Sequence, residues 1–329
     1  MYKLAIRGIE VYHGSKVVDN SYYIEHFKAR GKDVEHFLCD VVGRDKRYLI
    51  DSDEENSMTM ALEAIKKVLK TSNLTGKDLD MIIFSSQLAE YAAPPTSIKI
   101  HNAIEGRDNC ICYDMNSNCT GMTIALEHAS KYMSVSQNIN RVLIVGSDYI
   151  NMTVDPEVEY CYGHYGDAAC AMILEKTDED RGVIDAIYQI NSAEHNNIVF
   201  PSCGFSKLFT VQDRNELKLR WKPFDCPQVP LYVDNMKKLL TRNNLTVDDV
   251  KMFCFSQYII KNVEEFRSLL GIDESKSIFI GNEYGYTGTS SPFIALYESM
   301  RRGMVKKGDY ILFWTVSAGA QNISLLLKL

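Results

Sequence analysis

Short apolar runs alternate along the chain with amphipathic stretches, which is the pattern of an α/β protein. Two of these runs are almost continuously apolar, MIIFSS at 81–86 and VLIVGS at 142–147. Runs of this kind are typical of strands that are buried on both faces between layers of helices. The first residues, MYKLAIRGIEVYHG, instead alternate apolar and polar positions, and they predict an amino-terminal strand.

One stretch of the chain is repeated. Residues 65–86 read IKKVLKTSNLTGKDLDMIIFSS and residues 236–257 read MKKLLTRNNLTVDDVKMFCFSQ, with identical residues recurring at an offset of 171. Each copy predicts an amphipathic helix, a short NLT connection and a strand. The similarity continues at an offset of 170, where TIALEH at 123–128 matches FIALYE at 293–298.

This order of pieces predicts a duplicated α/β protein with an N-terminal half at 1–175 and a C-terminal half at 176–329. Copies of such a unit usually pack with their strand ends facing a shared cleft, where an open sheet places its chemistry. The sequence between the halves is not rich in Pro, Gly or Ser, which argues against two independent domains on a flexible linker.

Charge and composition argue against nucleic acid, metal ions and membranes as binding partners. The formal net charge of −7 leaves no basic surplus for a phosphate backbone, which argues against nucleic acid. Nine cysteines without a CxxC pair predict reduced thiols and no metal site. The longest apolar run, YILFWTVSA, falls short of the roughly 20 residues that span a bilayer, and the amino terminus lacks a signal-peptide core. We therefore expect a cytoplasmic protein without a membrane partner.

The segment that points to chemistry is DMNSNCTGMTIALEH. Asn116, Ser117 and Asn118 are good N-cap residues, and a helical pattern begins directly behind them, which predicts that Cys119 lies in the first turn of a buried helix. Unpaired backbone N–H groups there favour a thiolate, so we expect a lowered pKa and a nucleophile. The alternative is an inert buried thiol, as we expect for the cysteines inside other apolar runs, Cys39, Cys110, Cys112, Cys170 and Cys254.

Several segments along nearly the whole chain carry a resemblance to a known family. They are VGRDKRYLIDSDEENSMTMALEAIKKVLKTSNLTGKDLDMIIF, DMNSNCTGM, YGDAACAMILE, LTVDDVKMFCFSQ, EYGYTGTSSPFIAL and VSAGAQNISLLL. In these segments the chain resembles the β-ketoacyl-acyl-carrier-protein synthase III group of the thiolase superfamily. The resemblance implies a duplicated five-layered αβαβα sandwich, in agreement with the internal repeat. It also implies an acyltransferase whose cysteine is loaded by an acyl thioester.

The family uses a Cys–His–Asn triad, and the resemblance places these positions on Cys119, Ser256 and Tyr286. Both partners of the cysteine are therefore replaced. A serine or tyrosine hydroxyl can donate a hydrogen bond, but neither supplies a cation or a base near neutral pH. The resemblance also implies an oxyanion hole formed by the backbone N–H groups of Cys119 and Ala318. His164, in YCYGHYGD, is a candidate replacement for the missing base.

The resemblance places the family's coenzyme A site on Phe37, which would stack on the adenine, with Arg44 and Arg47 as nearby phosphate ligands. It implies no permanently bound cofactor, because an acyl-CoA or acyl-carrier-protein phosphopantetheine thioester is the substrate. The expected assembly is a homodimer, with a heterodimer with a homologue as the alternative.

The leading interpretation is an acyltransferase of the 3-oxoacyl-acyl-carrier-protein synthase III type in fatty-acid-related or specialised metabolism. It would form an acyl thioester on Cys119 and pass the acyl group to a carbon, nitrogen or oxygen nucleophile. The loss of His and Asn keeps two alternatives open. One is a non-catalytic or half-active subunit of a hetero-oligomeric ketosynthase complex. The other is ordinary decarboxylative malonyl condensation with Ser256 and Tyr286 as substitutes.

Overall fold

A computed structural model describes residues 3–222 and 228–329 of the chain. The strands are β1 (Leu4–His13), β2 (Lys16–Asp19), β3 (Lys46–Leu49), β4 (Met81–Ser85), β5 (Ile111–Met115), β6 (Arg141–Asp148), β7 (Ala168–Lys176), β8 (Gly182–Ile190), β9 (Ile198–Val199), β10 (Arg220–Trp221), β11 (Val250–Phe255), β12 (Tyr310–Val316) and β13 (Gln321–Lys328). The helices are α1 (Asn20–Lys28), α2 (Ser57–Ser72), α3 (Thr96–Ala103), α4 (Gly121–Val135), α5 (Val229–Arg242), α6 (Ile260–Leu270), α7 (Gly281–Tyr284) and α8 (Ser291–Arg301).

Two large sheets repeat one topology. The first has the order β1-β7-β6-β4-β5, and the second has the order β8-β13-β12-β11 when read in the corresponding direction. Each contains a corresponding parallel pair, β4 with β6 and β11 with β12, and the next two pairings are antiparallel. The strands of the first sheet come from residues 4–176 and those of the second from 182–328. The domain boundary at 175 itself stays a prediction.

Alternation along the strands builds five layers. In β4, Met81 and Ile83 face a central core that also contains residues of α4, α8 and the second sheet, whereas Ile82 and Phe84 pack against α2. On the far side of the second sheet, Phe253 and Phe255 pack against α5 and α6. The layers are therefore helix, sheet, helix, sheet, helix, which confirms the predicted duplicated αβαβα sandwich.

The repeated NLT segment has a local physical cause. In the first copy the Asp78 carboxylate accepts hydrogen bonds from the backbone N–H and the hydroxyl of Thr75, both at 2.8 Å. In the second copy Asp249 accepts the same two bonds from Thr246, again at 2.8 Å. Each pair forms a capping box that turns the chain from the outer helix into the parallel strand.

Residues 191–222, which follow β8, consist of short 3₁₀ turns and the two-stranded β9–β10 ribbon. This ribbon carries Trp221 to the candidate site described below. Within the described ranges, no helix is both long and apolar enough to cross a membrane. The same residues contain no group of three or more His, Cys, Asp or Glu side chains arranged to hold a metal ion.

Candidate active site

Cys119 lies at the entrance to the central helix layer. After β5 ends, the Asn116 side chain accepts a hydrogen bond from the Asn118 N–H at 3.0 Å, and Asn118 adopts a left-handed φ of 49°. A 3₁₀ turn over Asn118–Thr120 then leads into α4, which begins at Gly121. Cys119 thus lies in the 3₁₀ turn ahead of α4 rather than in the first turn of the helix, and it is 9% exposed.

Gly121 is required by close packing against β4. A Cβ at this position would lie 2.3 Å from the Ser85 hydroxyl oxygen, so any larger residue would push the turn away from the sheet. The turn that carries Cys119 is therefore held tightly against the end of the first sheet.

Tyr286 and Ser256 meet at the cysteine. The hydroxyl of Tyr286 hydrogen-bonds with the Cys119 sulfur. The Ser256 hydroxyl, at the end of β11, donates to the Tyr286 hydroxyl at 3.3 Å. Both side chains are buried, with exposed fractions of 2% for Tyr286 and 3% for Ser256. The structure therefore brings together the three positions that the resemblance implied, as a chain of hydroxyl groups ending at the sulfur; their catalytic roles stay predictions.

The backbone of Tyr286 is fixed by the segment before β7. Its N–H donates to the His164 carbonyl at 3.1 Å, and its carbonyl accepts from the Gly166 N–H at 3.1 Å. A Cβ on Gly166 would lie 1.8 Å from the Tyr284 carbonyl oxygen, so only glycine permits this approach. Contacts between the two halves of the chain therefore hold the Tyr286 side chain beside Cys119.

Burial sets the acidity of the thiol. Loss of solvent raises the pKa of Cys119 to about 12, and the nearby Asp148 carboxylate acts in the same direction. Hydrogen bonds from Tyr286 and Gln87 oppose the rise in pKa without cancelling it. The prediction of a lowered pKa was wrong, because the start of a helix is visible in a sequence whereas the depth of a side chain in the fold is not.

Two polar side chains that the sequence did not single out lie beside the sulfur. Gln87, just after β4, has its amide nitrogen 3.9 Å from the Cys119 sulfur and 3.1 Å from an Asp148 carboxylate oxygen. Asp148, fully buried at the end of β6, also accepts from the Gln87 N–H at 2.9 Å and the Thr289 N–H at 2.9 Å. Burial raises the pKa of Asp148. Gln87 could have been found from the repeat, since Tyr258 occupies the same position after β11.

A cavity of about 90 Å³ opens onto Cys119. Among the residues that line it, those with aromatic rings are Tyr165, Trp221, Tyr232, Tyr258 and Tyr286. An adjoining cavity of about 360 Å³ shares Gln87, Tyr165 and Ala318 with it. Glu194 is the one charged side chain among the described residues lining the first cavity. The surroundings of the thiol are thus mainly aromatic, with neutral polar groups between the rings.

The turn between β12 and β13 reaches the same cavity through Ala318. Its left-handed residues are Gly319, with φ of 78°, and Ala320, with φ of 53°, while Ala318 keeps a negative φ. Ala320 closes the turn by donating its N–H to the Ser317 carbonyl at 3.0 Å. Ala318 therefore meets no dihedral obstacle in the predicted role of oxyanion-hole donor, which stays a prediction.

The predicted phosphate ligands Arg44 and Arg47 were placed wrongly. Both are fully buried, with exposed fractions of 0%. Arg44 donates to four backbone carbonyls, and Arg47 donates to the Gly163 carbonyl and the Asn20 side chain. Neither guanidinium can reach a phosphate in solvent. Phe37 is half-buried against the cluster around α1, and its role in stacking stays a prediction.

His164 lies behind the cavity wall. Its ring is 1% exposed and contacts the rings of Tyr286 and Tyr258, with centroid separations of 5.6 Å and 5.1 Å. Neither ring nitrogen has a hydrogen-bond partner among the described residues. Burial, with Arg44 and Arg47 nearby, lowers its pKa well below the usual value, so the ring is neutral. Its proposed role as a base stays a prediction, and this ring is absent from the described lining of the Cys119 cavity.

Known proteins share both the sequence pattern and the fold. The β-ketoacyl-[acyl-carrier-protein] synthase III of Staphylococcus aureus strain JH1 is 24% identical over 309 residues, which cover 94% of this chain and 93% of the relative. The 3-oxoacyl-[acyl-carrier-protein] synthase III of Aquifex aeolicus superposes with a TM-score of 0.85 at 21% identity, covering 99% of this chain and 100% of that one. The priming β-ketosynthase of the R1128 polyketide pathway gives a TM-score of 0.88 at 20% identity, with coverage of 99% and 96%.

Two family models match the chain and together cover just over half of it. The model for 3-oxoacyl-[acyl-carrier-protein] synthase III matches residues 113–192, which include the cysteine turn. The model for the C-terminal part of the same enzymes matches residues 240–329, which include Ser256 and Tyr286. The chain therefore belongs to the 3-oxoacyl-acyl-carrier-protein synthase III family of acyl-transferring enzymes within the thiolase superfamily.

Proposed function

We propose that this protein is an acyltransferase that carries its acyl group as a thioester on Cys119 and uses the hydroxyl groups of Ser256 and Tyr286 where its family uses His and Asn. The observation that carries the proposal is the hydrogen-bonded chain from Ser256 through Tyr286 to the Cys119 sulfur, at the wall of a cavity that Ala318 also lines. A thiol, a donor aimed at it and a candidate oxyanion site are thus brought to one place.

In the acylation step, the Cys119 sulfur attacks the carbonyl carbon of an acyl-CoA or acyl-carrier-protein thioester. A new C–S bond forms, the N–H groups of Cys119 and Ala318 hold the oxyanion, and the donor's C–S bond breaks. The departing thiolate takes up the proton that Cys119 gives up, so no net charge is created. Exchange between two thioesters is close to energetically neutral, so this step needs an oriented donor more than a strong base.

The second step passes the acyl group to a nucleophile. Tyr286 and Ser256 can donate hydrogen bonds but cannot take a proton near neutral pH, since burial holds the pKa of Tyr286 well above its usual value. Water is therefore poorly activated at this site, and the acyl-enzyme is expected to be long-lived. The acceptor must bring a nucleophile that is already competent, a carbanion, an amine or an ionised alcohol.

Mass spectrometry of the intact protein tests the proposal. Wild type incubated with acetyl-CoA, and separately with acetyl-carrier protein, should gain one acetyl group that peptide mapping locates on Cys119. Cys119→Ala should gain none, whereas Cys39→Ala, which removes an exposed thiol, should behave like wild type. Absence of any adduct on wild type would instead favour the half-active subunit, and co-purification with a homologue would then support that alternative.

Decarboxylative condensation remains a second candidate because two hydroxyl donors, rather than none, stand where the family's His and Asn would be. Those donors could bind the malonyl thioester carbonyl while carbon dioxide leaves. Release of ¹⁴CO₂ from malonyl-carrier protein by wild type, lost in Tyr286→Phe, would support it. Acylation of Cys119 without any such release would exclude it.

A further inference from the structure

Arg44 is a fully buried cation without a carboxylate partner among the described residues. Its guanidinium donates only to backbone carbonyls, those of Val42 at 2.8 Å, His164 at 3.1 Å, Gln257 at 3.0 Å and Tyr258 at 2.7 Å. A buried charge without a counter-ion is expensive, and carbonyl dipoles offset only part of that cost. Such a group needs a reason beyond stability.

Three of the four acceptors of Arg44 are tied to the two hydroxyl-bearing residues, Ser256 and Tyr286. Gln257 and Tyr258 directly follow Ser256, and the His164 carbonyl also accepts the N–H of Tyr286 at 3.1 Å. One rigid, planar group is therefore bonded on both sides of the Ser256–Tyr286 hydrogen bond. A lysine at this position could keep the charge, but it could not bridge these carbonyls.

The charge of Arg44 also faces the aromatic wall of the site. Tyr286, Tyr258 and Tyr165 lie within its electrostatic reach, as do Arg47 and the neutral His164. On the other side of the wall, the groups that face the Cys119 sulfur are Tyr286, Gln87 and Asp148. Tyr286 belongs to both sets and hydrogen-bonds with the sulfur, so it links the charge of Arg44 to the thiol; Tyr165 also lies within electrostatic reach of both Arg44 and Cys119.

We infer that Arg44 is the positioning residue of this site: its guanidinium fixes Ser256 and Tyr286 and supplies, behind the phenol, the fixed positive charge that the chain lacks in the absence of a histidine. A cation behind the phenol makes its hydroxyl a stronger donor toward sulfur. The inference concerns the state of the thiol and stands whether or not an acyl group is later transferred.

The test is the pH profile of Cys119 alkylation by iodoacetamide, resolved by peptide mass spectrometry. Arg44→Met should slow labelling of Cys119 at pH 8 by about tenfold, which corresponds to a rise of about one unit in the pKa of the thiol. Arg44→Lys should fall between Arg44→Met and wild type. Arg47→Lys is the matched control, a buried arginine that is bonded to neither hydroxyl-bearing segment, and it should label within twofold of wild type.

A purely structural role would move labelling in the opposite direction. Loosening of the fold exposes the thiol to water, removes the burial that raises its pKa, and speeds alkylation. Slower labelling in Arg44→Met, with Cys112 labelled as in wild type within the same sample, supports the inference. Unchanged or faster labelling of Cys119, or equal slowing in Arg47→Lys, overturns it. Because no acyl donor is used, this outcome is independent of the acylation experiment.

Discussion

The two copies of the repeat place different residues in the turn just before their central helices, a position that we call the helix mouth. Cys119 precedes α4 and Thr289, 170 positions later, precedes α8, each in a 3₁₀ turn that leads into the helix. Thr289 is completely buried, and its hydroxyl accepts from the Met122 N–H at 2.7 Å and contacts the Ser85 hydroxyl at 3.2 Å. Cys119 instead lies beside a cavity, with a phenol directed at it.

The difference shows that the start of a buried helix does not by itself make a reactive site. Both helix mouths have the same local geometry. The Thr289 side chain is buried by packing between the halves, whereas the Cys119 side chain lies beside the cavity. What separates them is the cavity and the partner, Tyr286. The predictions that follow test this separation, beginning with the largest expected effect.

A cysteine at position 289 should not take over the acylation that we expect at Cys119. Cys119→Ala should abolish the acyl adduct completely, because no other described thiol lines this cavity. Thr289→Cys should not create a second adduct, since its sulfur would lie in the packed central layer. Intact-mass spectrometry with acetyl-CoA measures both, and Thr289→Ser serves as the conservative control. A doubly acetylated Thr289→Cys protein would contradict this account.

Cys112, which does not lie at the start of a helix, should react faster than Cys119. Cys112, half-buried on β5, has a pKa lowered by a hydrogen bond from Cys110, whereas burial raises the pKa of Cys119 to about 12. Only the thiolate reacts, so at pH 7.5 we expect iodoacetamide to label Cys112 at least about 100-fold faster.

The pH dependence has a definite sign for each of these thiols. Labelling of Cys119 should rise about tenfold per pH unit from 7 to 10, because the fraction of thiolate grows until the pH reaches the pKa. Labelling of Cys112 should level off at a lower pH than labelling of Cys119, because the pKa of Cys112 is lowered. Peptide-resolved labelling rates measure both slopes, and a plateau for Cys119 near pH 8 would contradict the role of burial.

Removing the Tyr286 hydroxyl should remove one of the features that distinguish Cys119 from Thr289. Tyr286→Phe keeps the ring but loses the donor to sulfur, and we expect acylation of Cys119 to slow by about 10²-fold, the typical effect of losing one preorganised donor. Tyr165→Phe, which lines the same cavity, is the control and should stay within a few-fold of wild type. Rapid-quench mass spectrometry gives the rates.

Substitutions of Thr289 should lower the stability of the fold rather than the reactivity of the site. Thr289→Val keeps the shape but leaves the buried Met122 N–H without its acceptor, and we expect a loss of about 1–3 kcal/mol in the free energy of unfolding. Thr289→Ser keeps the hydroxyl and should lose about 1 kcal/mol. Urea denaturation distinguishes the two variants, and equal losses would show that the hydroxyl does not matter.

The smallest expected effect concerns charge at the first mouth. Glu194 lines the Cys119 cavity and should repel the phosphates of coenzyme A, so Glu194→Gln should speed acylation by acetyl-CoA about threefold at low salt. Acetyl-pantetheine, which carries no phosphate, should show no change. The difference between the two donors should vanish in 1 M NaCl, because salt screens exposed charges. A salt-independent effect would point to packing instead.

The fold was predictable because the repeat carries its own local signals. The capping boxes of Thr75 with Asp78 and of Thr246 with Asp249 are readable in the chain, and the apolar runs between them become the paired parallel strands. Cys119 was predictable for the same reason, since its turn lies between a strand and a helix pattern. These features depend on residues that are close together in sequence.

The surroundings of Cys119 were less predictable because they depend on tertiary packing. The resemblance made Arg44 a candidate phosphate ligand, yet its four acceptors include carbonyls more than 100 residues away. Asp148 gave no local signal, because its partner Thr289 belongs to the other copy. Depth of burial, which sets the acidity of the thiol, is likewise a property of the assembled layers.

Asp148 has a consequence for how such a duplicated chain can change. A single carboxylate at the end of β6 bonds Ser86 and Gln87 in one copy and the Thr289 N–H in the other. Separating the copies would therefore remove one donor from the buried Asp148 carboxylate and leave the buried Thr289 N–H without its acceptor. The ancestral freedom of two equal units has become mutual dependence, in which the unreactive copy constrains the evolution of the reactive one.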